Sequence, residues 1–483
     1  MLPLTTLAVA IAALYLYKLD GFGVGIEPDE PRYASIGRTM AHTGQFVTPV
    51  LWGSPWFEKP PLLYWMTALG TMVGLNPELS ARLPVALLSL AFLAGSFFLL
   101  QREFGTQAAA ASTALLATST AWIPYSQLCL TDLPLAVFFS LAVFLALPLL
   151  RNQPATAHLN SRFLLMGASL GLAMLAKGFV PVVLAIPSLW SLRRYWRRWW
   201  LAIAACILVA APWYVAVYLE NGYPFIQVFF LQHQFERLYS SSLQHVQPWY
   251  YYFPVLLAAL FPWTPLVGLL ALRGSLADSR RRFLAATVLF GFVFFSLSLN
   301  KLPGYLLPLM PSLFVWIGAH FETKSVDQIS RWWLLACALL VALIPLFASV
   351  LPPSLSTGRL PSMAVAFKNV SRPEWFYVLV PLLAVMLARR SWAPTLLVLC
   401  VVASMIYVKN VAYPVIDREL SARSLWRELQ PLSARICDNW ANRNWMYGLA
   451  FYRGSLYPPC SSGKFDYALE SHGHQRPILV PLH

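Results

Sequence analysis

Apolar runs of fifteen residues or more, broken by short basic or proline-rich stretches, recur along most of the chain. A helix needs about 20 such residues to cross the hydrocarbon layer of a bilayer. The pattern therefore predicts spans near 2–19, 82–101, 106–124, 132–150, 161–177, 178–192, 198–218, 251–271, 283–299, 303–320, 331–350, 374–388 and 392–408, about thirteen in all. Those at 161–177 and 178–192 are short and interrupted at Lys177. The run 61–75 is also short and follows Pro60 and Pro61, which predicts an interfacial helix lying along the membrane surface. Beyond about residue 409 the pattern changes to mixed charge and short alternating stretches such as MYGLAFYRG. The expected fold is thus a membrane all-α unit over 1–408, with a first external loop at 20–81, followed by a small soluble α/β domain at 409–483.

Composition agrees with the pattern. Hydrophobic residues make up 58% of the chain and charged residues 11%, where a soluble domain carries roughly a quarter charged. Such a chain has too little polar surface to cover itself in water. The formal charge of +15 could suggest nucleic acid, but the basic residues lie in short clusters between apolar runs, so no nucleic-acid partner is expected. With the N-terminus placed in the cytoplasm, the cytoplasmic turns receive Arg102, Arg151, Arg162, the cluster Arg193, Arg194, Arg197 and Arg198, then Arg273 and Arg280 to Arg282, followed by Lys324, Arg331, Arg389 and Arg390. All fall on one face, as the positive-inside rule requires. The opening run lacks a basic leader region and a small-residue cleavage site, and is expected to stay as the first span. The C-terminus then lies outside. Cys437 and Cys460 share that oxidising side, where a disulfide is open to them.

The candidate chemistry collects on the outer face. GIEPDEPRYASIGRTM places Glu27, Asp29 and Glu30 within four residues, beside Arg32 and with Pro28 and Pro31 constraining the backbone. Such a cluster suits a general base or a metal ligand better than a solubilising cap. Glu58 and Lys59 precede two prolines and aromatic residues, so the lysine is placed at headgroup depth to hold a lipid phosphate. Asp132 opens an apolar run. An ionisable group there is costly and points to function, although Thr131 or Asp132 before Pro134 equally matches a helix start. Lys177 and Lys301 are cations at span ends beside glycine or proline, and His233, Glu236, Arg237 and His245 lie next to a dense aromatic run. A lipid-linked sugar phosphate would use this set well. Cations stabilise charge on the departing phosphate, while a carboxylate deprotonates the attacking hydroxyl.

EPDEPRYASIGRTM followed by FVTPVLWGSPWFEKPPLLYW resembles the first periplasmic loop of bacterial aminoarabinose transferases that act on lipid A. These belong to the GT-C class of membrane glycosyltransferases, which includes the protein O-mannosyltransferases. The resemblance continues through ELSARLPVAL, TDLPLAVFF, AKGFVP, HQFERL, QHVQPWYYY and KLPGYLLPLMP, covering about residues 20–320. It implies an inner-membrane glycosyltransferase with a polyprenyl (undecaprenyl) phosphate sugar donor and a lipid, glycan or protein acceptor. It also implies that Asp29 is the catalytic carboxylate, with Asp132 and Glu30 as further acids. Lys59, Arg237, Lys301 and Lys177 would hold the donor phosphate, Tyr33, Tyr64 and Tyr305 would line the donor cavity, and Glu58 and His233 would share a divalent cation. After residue 320 the pattern departs from the family, which leaves sugar and acceptor open. A transporter of lipid-linked sugars is the rival reading. It would want charges along a path through the bilayer, whereas these sit at one edge.

Overall fold

The computed structural model describes residues 4–151, 153, 158–236, 246–272, 274–321, 331–357, 372–387, 392–439, 441–471 and 475–482, and it is mostly helical. Helix α1 (Leu4–Leu16) leads into a long loop containing α2 (Asp29–Thr43), the two-residue hairpin β1 (Val50–Leu51) and β2 (Ser54–Pro55), and α3 (Leu62–Met72). Helix α2 stops at Gly44, whose φ of 71° lets its N–H reach the Met40 carbonyl, a left-handed cap that favours glycine. Helices α2 and α3 approach closely at Gly37, where a Cβ would lie 2.6 Å from that of Thr67. A helix is therefore present where the short run was expected, as α3, packed against α2 and α4 (Pro77–Ala117).

Helix α4 is capped by Asn76, whose side chain accepts the Leu79 N–H at 2.8 Å, and it kinks at Gly105. The kink separates the two runs expected at 82–101 and 106–124. The second rod ends at Ala117, not near 124, because residues 120 and 121 bond elsewhere. Their N–H groups donate to the carbonyls of Phe261 and Ala259, both at 2.9 Å. Those carbonyls belong to a second departure from expectation. The span anticipated at 251–271 is broken into Trp249–Ala259 and Thr264–Ala271, bent by 109°. Pro262 cannot donate a helical hydrogen bond, and the two irregular segments satisfy each other's backbone, as membrane depth demands.

Helix α5 (Asp132–Ala146) continues as a 3₁₀ turn to Leu150, α6 (Leu159–Lys177) returns, and Trp199–Asn221, Ser279–Leu297 and Pro303–Phe321 follow. The run expected at 178–192 is instead two short helices, Val180–Leu184 and Ile186–Ser191. Among the described residues seven helices are long and apolar enough to cross a membrane, or eight if the bent pair counts as one span. Leu208, Leu219 and Leu297 stand exposed on their outer faces, as a lipid-facing surface requires.

The boundary expected at 409 falls inside one continuous helix, Ala393–Glu419. Lys409 is fully buried there, and its Nζ donates to the carbonyls of Leu14 and Tyr17 at 2.6 and 2.9 Å. The end of α1 has free carbonyls, so the charge is satisfied without ending the helix. Helix Ala422–Leu429 and a three-stranded sheet follow. Strand β3 (Ile436–Asp438) runs parallel to β4 (Tyr467–Glu470), which pairs antiparallel with β5 (Ile478–Pro481). The parallel pair needs a crossover, part of which is helix Arg443–Arg453; the stretch MYGLAFYRG, expected as an alternating pattern, lies in that helix. Leu425, Ile436, Trp445, Leu449 and Leu469 form a separate small core, and Cys437 and Cys460 are joined in a disulfide.

Candidate active site

The first turn of α2 has free N–H groups, and Glu27 takes two of them. Its Oε2 accepts from the backbone N–H of Asp29 at 2.7 Å and of Glu30 at 3.1 Å. This fixes the helix start and sends consecutive side chains to different sides. Residues three and four positions apart share a face, so Arg32 and Tyr33 return to Asp29. The Arg32 guanidinium pairs with Asp29 Oδ1, and the Tyr33 hydroxyl donates to Oδ2 at 3.2 Å. Burial holds Tyr33 well above the usual tyrosine range, so it stays a proton-bearing donor. The Asp29 side chain is about one-third exposed.

Glu30, expected among the catalytic acids, faces the other way. Both its oxygens are engaged by Arg82, with Nε at 2.8 Å and the second contact at 2.9 Å, and the two side chains are 0% exposed. Arg82 also donates to the carbonyls of Leu19 and Phe22, and the Cys129 N–H reaches Glu30 at 3.3 Å. With its oxygens filled and no route to solvent, Glu30 anchors the loop to α4 and has no opening for a substrate.

A second cluster forms where α5, α6 and the 3₁₀ segment Pro303–Leu309 meet. Asp132 at the start of α5 pairs with Lys177 Nζ at 2.6 Å, and that ammonium lies 5.0 Å from the Tyr305 ring centre. Gly304 abuts the pair: a Cβ there would come within 2.8 Å of Asp132 Oδ1 and 2.5 Å of the Tyr125 hydroxyl. Glu27 links the two clusters. Burial pushes its carboxyl up to about 7, against the Glu30 N–H bond, and the charges of Glu30 and Asp132 push the same way.

Lys59 is buried and donates to the Glu58 carbonyl at 3.3 Å. Lys301 is buried too, and its Nζ joins the carbonyls of Gln247 and Ser298, which ties the strand-like bridge between Val246 and Asn300 together. The rings of Tyr33 and Tyr64 lie 5.8 Å apart. Arg237 and the His233 side chain lie outside the described residues. Among the described residues no three His, Cys, Asp or Glu side chains converge on a metal position.

Sequence reasoning missed Tyr447. The Arg32 guanidinium sits between two rings, 5.2 Å from Trp56 and 5.3 Å from Tyr447. Tyr447 comes from the C-terminal segment, which also grips the first loop through Asn444 to the Ile26 carbonyl at 3.1 Å and the start of α4 through the Tyr452 hydroxyl to Glu78 at 2.6 Å. Buried Arg32 Nε and Trp52 Nε1 find no partner among the described residues. No local pattern in the sequence signals a ring arriving from more than 400 residues away.

The fold and the site define a membrane bundle with a broken helix, in which an acid–arginine pair and an acid–lysine pair stand close to the first loop. The family model for dolichyl-phosphate-mannose-protein mannosyltransferases matches residues 1–230. The chain is 30% identical over 367 residues to undecaprenyl phosphate-alpha-4-amino-4-deoxy-L-arabinose arabinosyl transferase 1 of Pseudomonas fluorescens, covering 71% of this chain and 63% of that one. It is 32% identical over 328 residues to the corresponding transferase of Pseudomonas aeruginosa, covering 65% and 58%. The chain thus matches about three-fifths of the length of these curated relatives. The crystal structure of ArnT from Cupriavidus metallidurans bound to undecaprenyl phosphate aligns with a TM-score of 0.75 at 25% identity, over 94% of this chain and 85% of that one. By these matches the chain is ArnT-like in sequence and fold, and a multi-pass protein of the inner membrane.

Proposed function

We propose that the protein moves a sugar from an undecaprenyl-phosphate carrier to a hydroxyl or phosphate of an outer-face acceptor such as lipid A, another glycan or a protein. One observation carries this reading. A reachable carboxylate, Asp29, is held by Arg32 and Tyr33, and a separate acid–lysine pair, Asp132 and Lys177, is coupled electrostatically to Glu27 of the same loop, in a bundle whose solved relative holds undecaprenyl phosphate. In the proposed reaction the bond from the anomeric carbon to the phosphate oxygen breaks, and the phosphate leaves with the electron pair. The acceptor oxygen bonds to that carbon and gives its proton to Asp29. Lys59, with Arg237, Lys301 and Lys177, receives the phosphate charge, the three lysines exchanging their present carbonyl or carboxylate partners for phosphate oxygens. Asp132 orients Lys177, and Tyr33, Tyr64 and Tyr305 shape the donor cavity. A divalent cation belongs to the proposal at Glu58 and His233. Two protein donors suit an ion that takes its remaining ligands from phosphate and water, and such an ion would neutralise phosphate charge.

The same reading includes about thirteen spans, a cytoplasmic N-terminus and a soluble outer-face α/β domain after the last long helix. The one-sided arginine clusters and the separate C-terminal core support it. The test is to incubate purified protein with labelled undecaprenyl-phosphate sugars and candidate acceptors, beside Lys59→Ala and Asp29→Asn. Transfer should appear with the parent and fall by about a hundredfold or more in each variant. Undiminished transfer in both variants would overturn the site, and absence of donor consumption with every sugar would overturn the reaction.

A further inference from the structure

The end of the bundle opposite Asp29 holds a concave site that the proposed reaction does not use. Helix α5 begins at Asp132 on the active side, and its continuation ends at Leu150 on the other. There the helices Ile186–Ser191 and Ser279–Leu297 join it around a cavity of about 680 Å³. Arg151, Arg193, Arg194 and Arg282 line this cavity with Trp190 and Phe283, and no acid is among its lining residues. Glu103 neutralises Arg151, with contacts of 2.7 and 2.8 Å. Among the described residues Arg193, Arg194 and Arg282 form no ion pair with a carboxylate. Arg193 donates to the Trp190 carbonyl, Arg194 to that of Leu149 and Arg282 to the Ser279 hydroxyl. These contacts leave most of their guanidinium donors unused. The start of the Ser279–Leu297 helix is capped by Asp278, which accepts the Arg281 N–H at 2.9 Å and pairs with Arg280 at 2.8 Å, so that acid is spent outside the cavity lining.

Three exposed tryptophans, Trp190, Trp196 and Trp200, stand at the same end of the bundle. Exposed tryptophan collects at headgroup depth, which sets the cavity beside lipid phosphates. Its floor is apolar, since Phe283 and Leu150 are buried. Guanidinium groups suit phosphate oxygens because their planar fork donates two hydrogen bonds at once. We propose that this pocket binds the phosphate headgroup of an anionic phospholipid in the leaflet opposite the active site. An apolar floor at interface depth favours a lipid over free phosphate, whose hydration shell an open aqueous face would serve better.

The test compares lipid retention by the purified full-length protein in native mass spectrometry, with phosphatidylglycerol, phosphatidylethanolamine or inorganic phosphate added. The parent should retain phosphatidylglycerol at least about tenfold better than phosphatidylethanolamine, and Arg193→Gln with Arg282→Gln should remove about tenfold of that. The pair Arg197→Gln with Arg198→Gln, on the same face but outside the cavity lining, should leave retention unchanged. Sugar transfer in detergent should be the same in the parent and both pairs. Equal loss in the Arg197 and Arg198 pair would reduce the site to general surface charge and overturn it. Equal retention of phosphatidylethanolamine would also overturn it, as would inorganic phosphate displacing the lipid at equal concentration. If the Arg193 and Arg282 pair does not fold, the headgroup preference of the parent decides, and no preference overturns the proposal.

Discussion

The root and the mouth of the first loop each hold a carboxylate paired with an arginine, one residue apart in sequence. At the root, Glu30 and Arg82 are wholly shut from solvent and share two hydrogen bonds. At the mouth, Asp29 and Arg32 remain partly open, and rings of Trp56 and Tyr447 hold the guanidinium. The chemical groups are nearly the same, and burial alone separates their uses. A buried pair whose lone pairs are all filled fixes geometry, since losing one partner strands a charge. A pair with an open side can exchange a partner for substrate. The roughly 100° between successive helical side chains is enough to put one carboxylate in the frame and leave its neighbour reachable.

Substitution can break this contrast. Asp29→Asn should lower sugar transfer by about 10² to 10⁴-fold and leave the melting temperature near that of the parent. Arg82→Leu should do the reverse in kind, removing about 3–5 kcal/mol of stability, which a melting curve in detergent would register. Adding Glu30→Leu to Arg82→Leu should recover most of that loss, because no charge is then stranded. If Glu30→Gln abolished transfer without loss of stability, the division between root and mouth would fail.

Glu27 tests how far the two regions are linked. Its carboxyl is raised from an ordinary 4.5 to about 7, first by burial. A raised acid contributes stability that is fully present below the unfolded value and is lost as pH climbs through the folded one. The melting temperature of Glu27→Gln should therefore gain on the parent between about pH 5 and pH 8. A constant offset across that range would show that Glu27 does not titrate there. The smallest effect belongs to the rings. Tyr447→Ala removes one cation–π contact, worth about 0.5–1 kcal/mol at a partly open site. It should lower kcat about three- to fivefold through Arg32, with Tyr447→Phe restoring it, and a change in KM alone would point to a different role.

Much of the fold was legible because the bilayer imposes a length rule on apolar runs. Runs at 132–150, 161–177, 198–218 and 303–320 became helices close to their expected limits. Where the rule failed, long-range partners had intervened. Thr120 and Ala121 donate their N–H groups to the carbonyls of Phe261 and Ala259, across a break that hydropathy cannot register. Lys409 looked like the end of a span because its partners, the carbonyls of Leu14 and Tyr17, lie nearly 400 residues earlier.

By itself the sequence determined that the chain is a membrane bundle whose basic residues lie in short clusters between apolar runs. It also located a dense acidic and basic motif in the first loop. Those properties follow from the local ordering of apolar and charged residues, which water and lipid sort without regard to detailed packing. Only the tertiary structure decided that Glu30 is filled by Arg82, that Lys177 rests on Asp132 and that Cys437 meets Cys460. The same holds for Tyr447, which reaches Arg32 from the far end of the chain. Each depends on how distant segments approach, and the availability of a carboxylate for chemistry depends on the partners that approach brings.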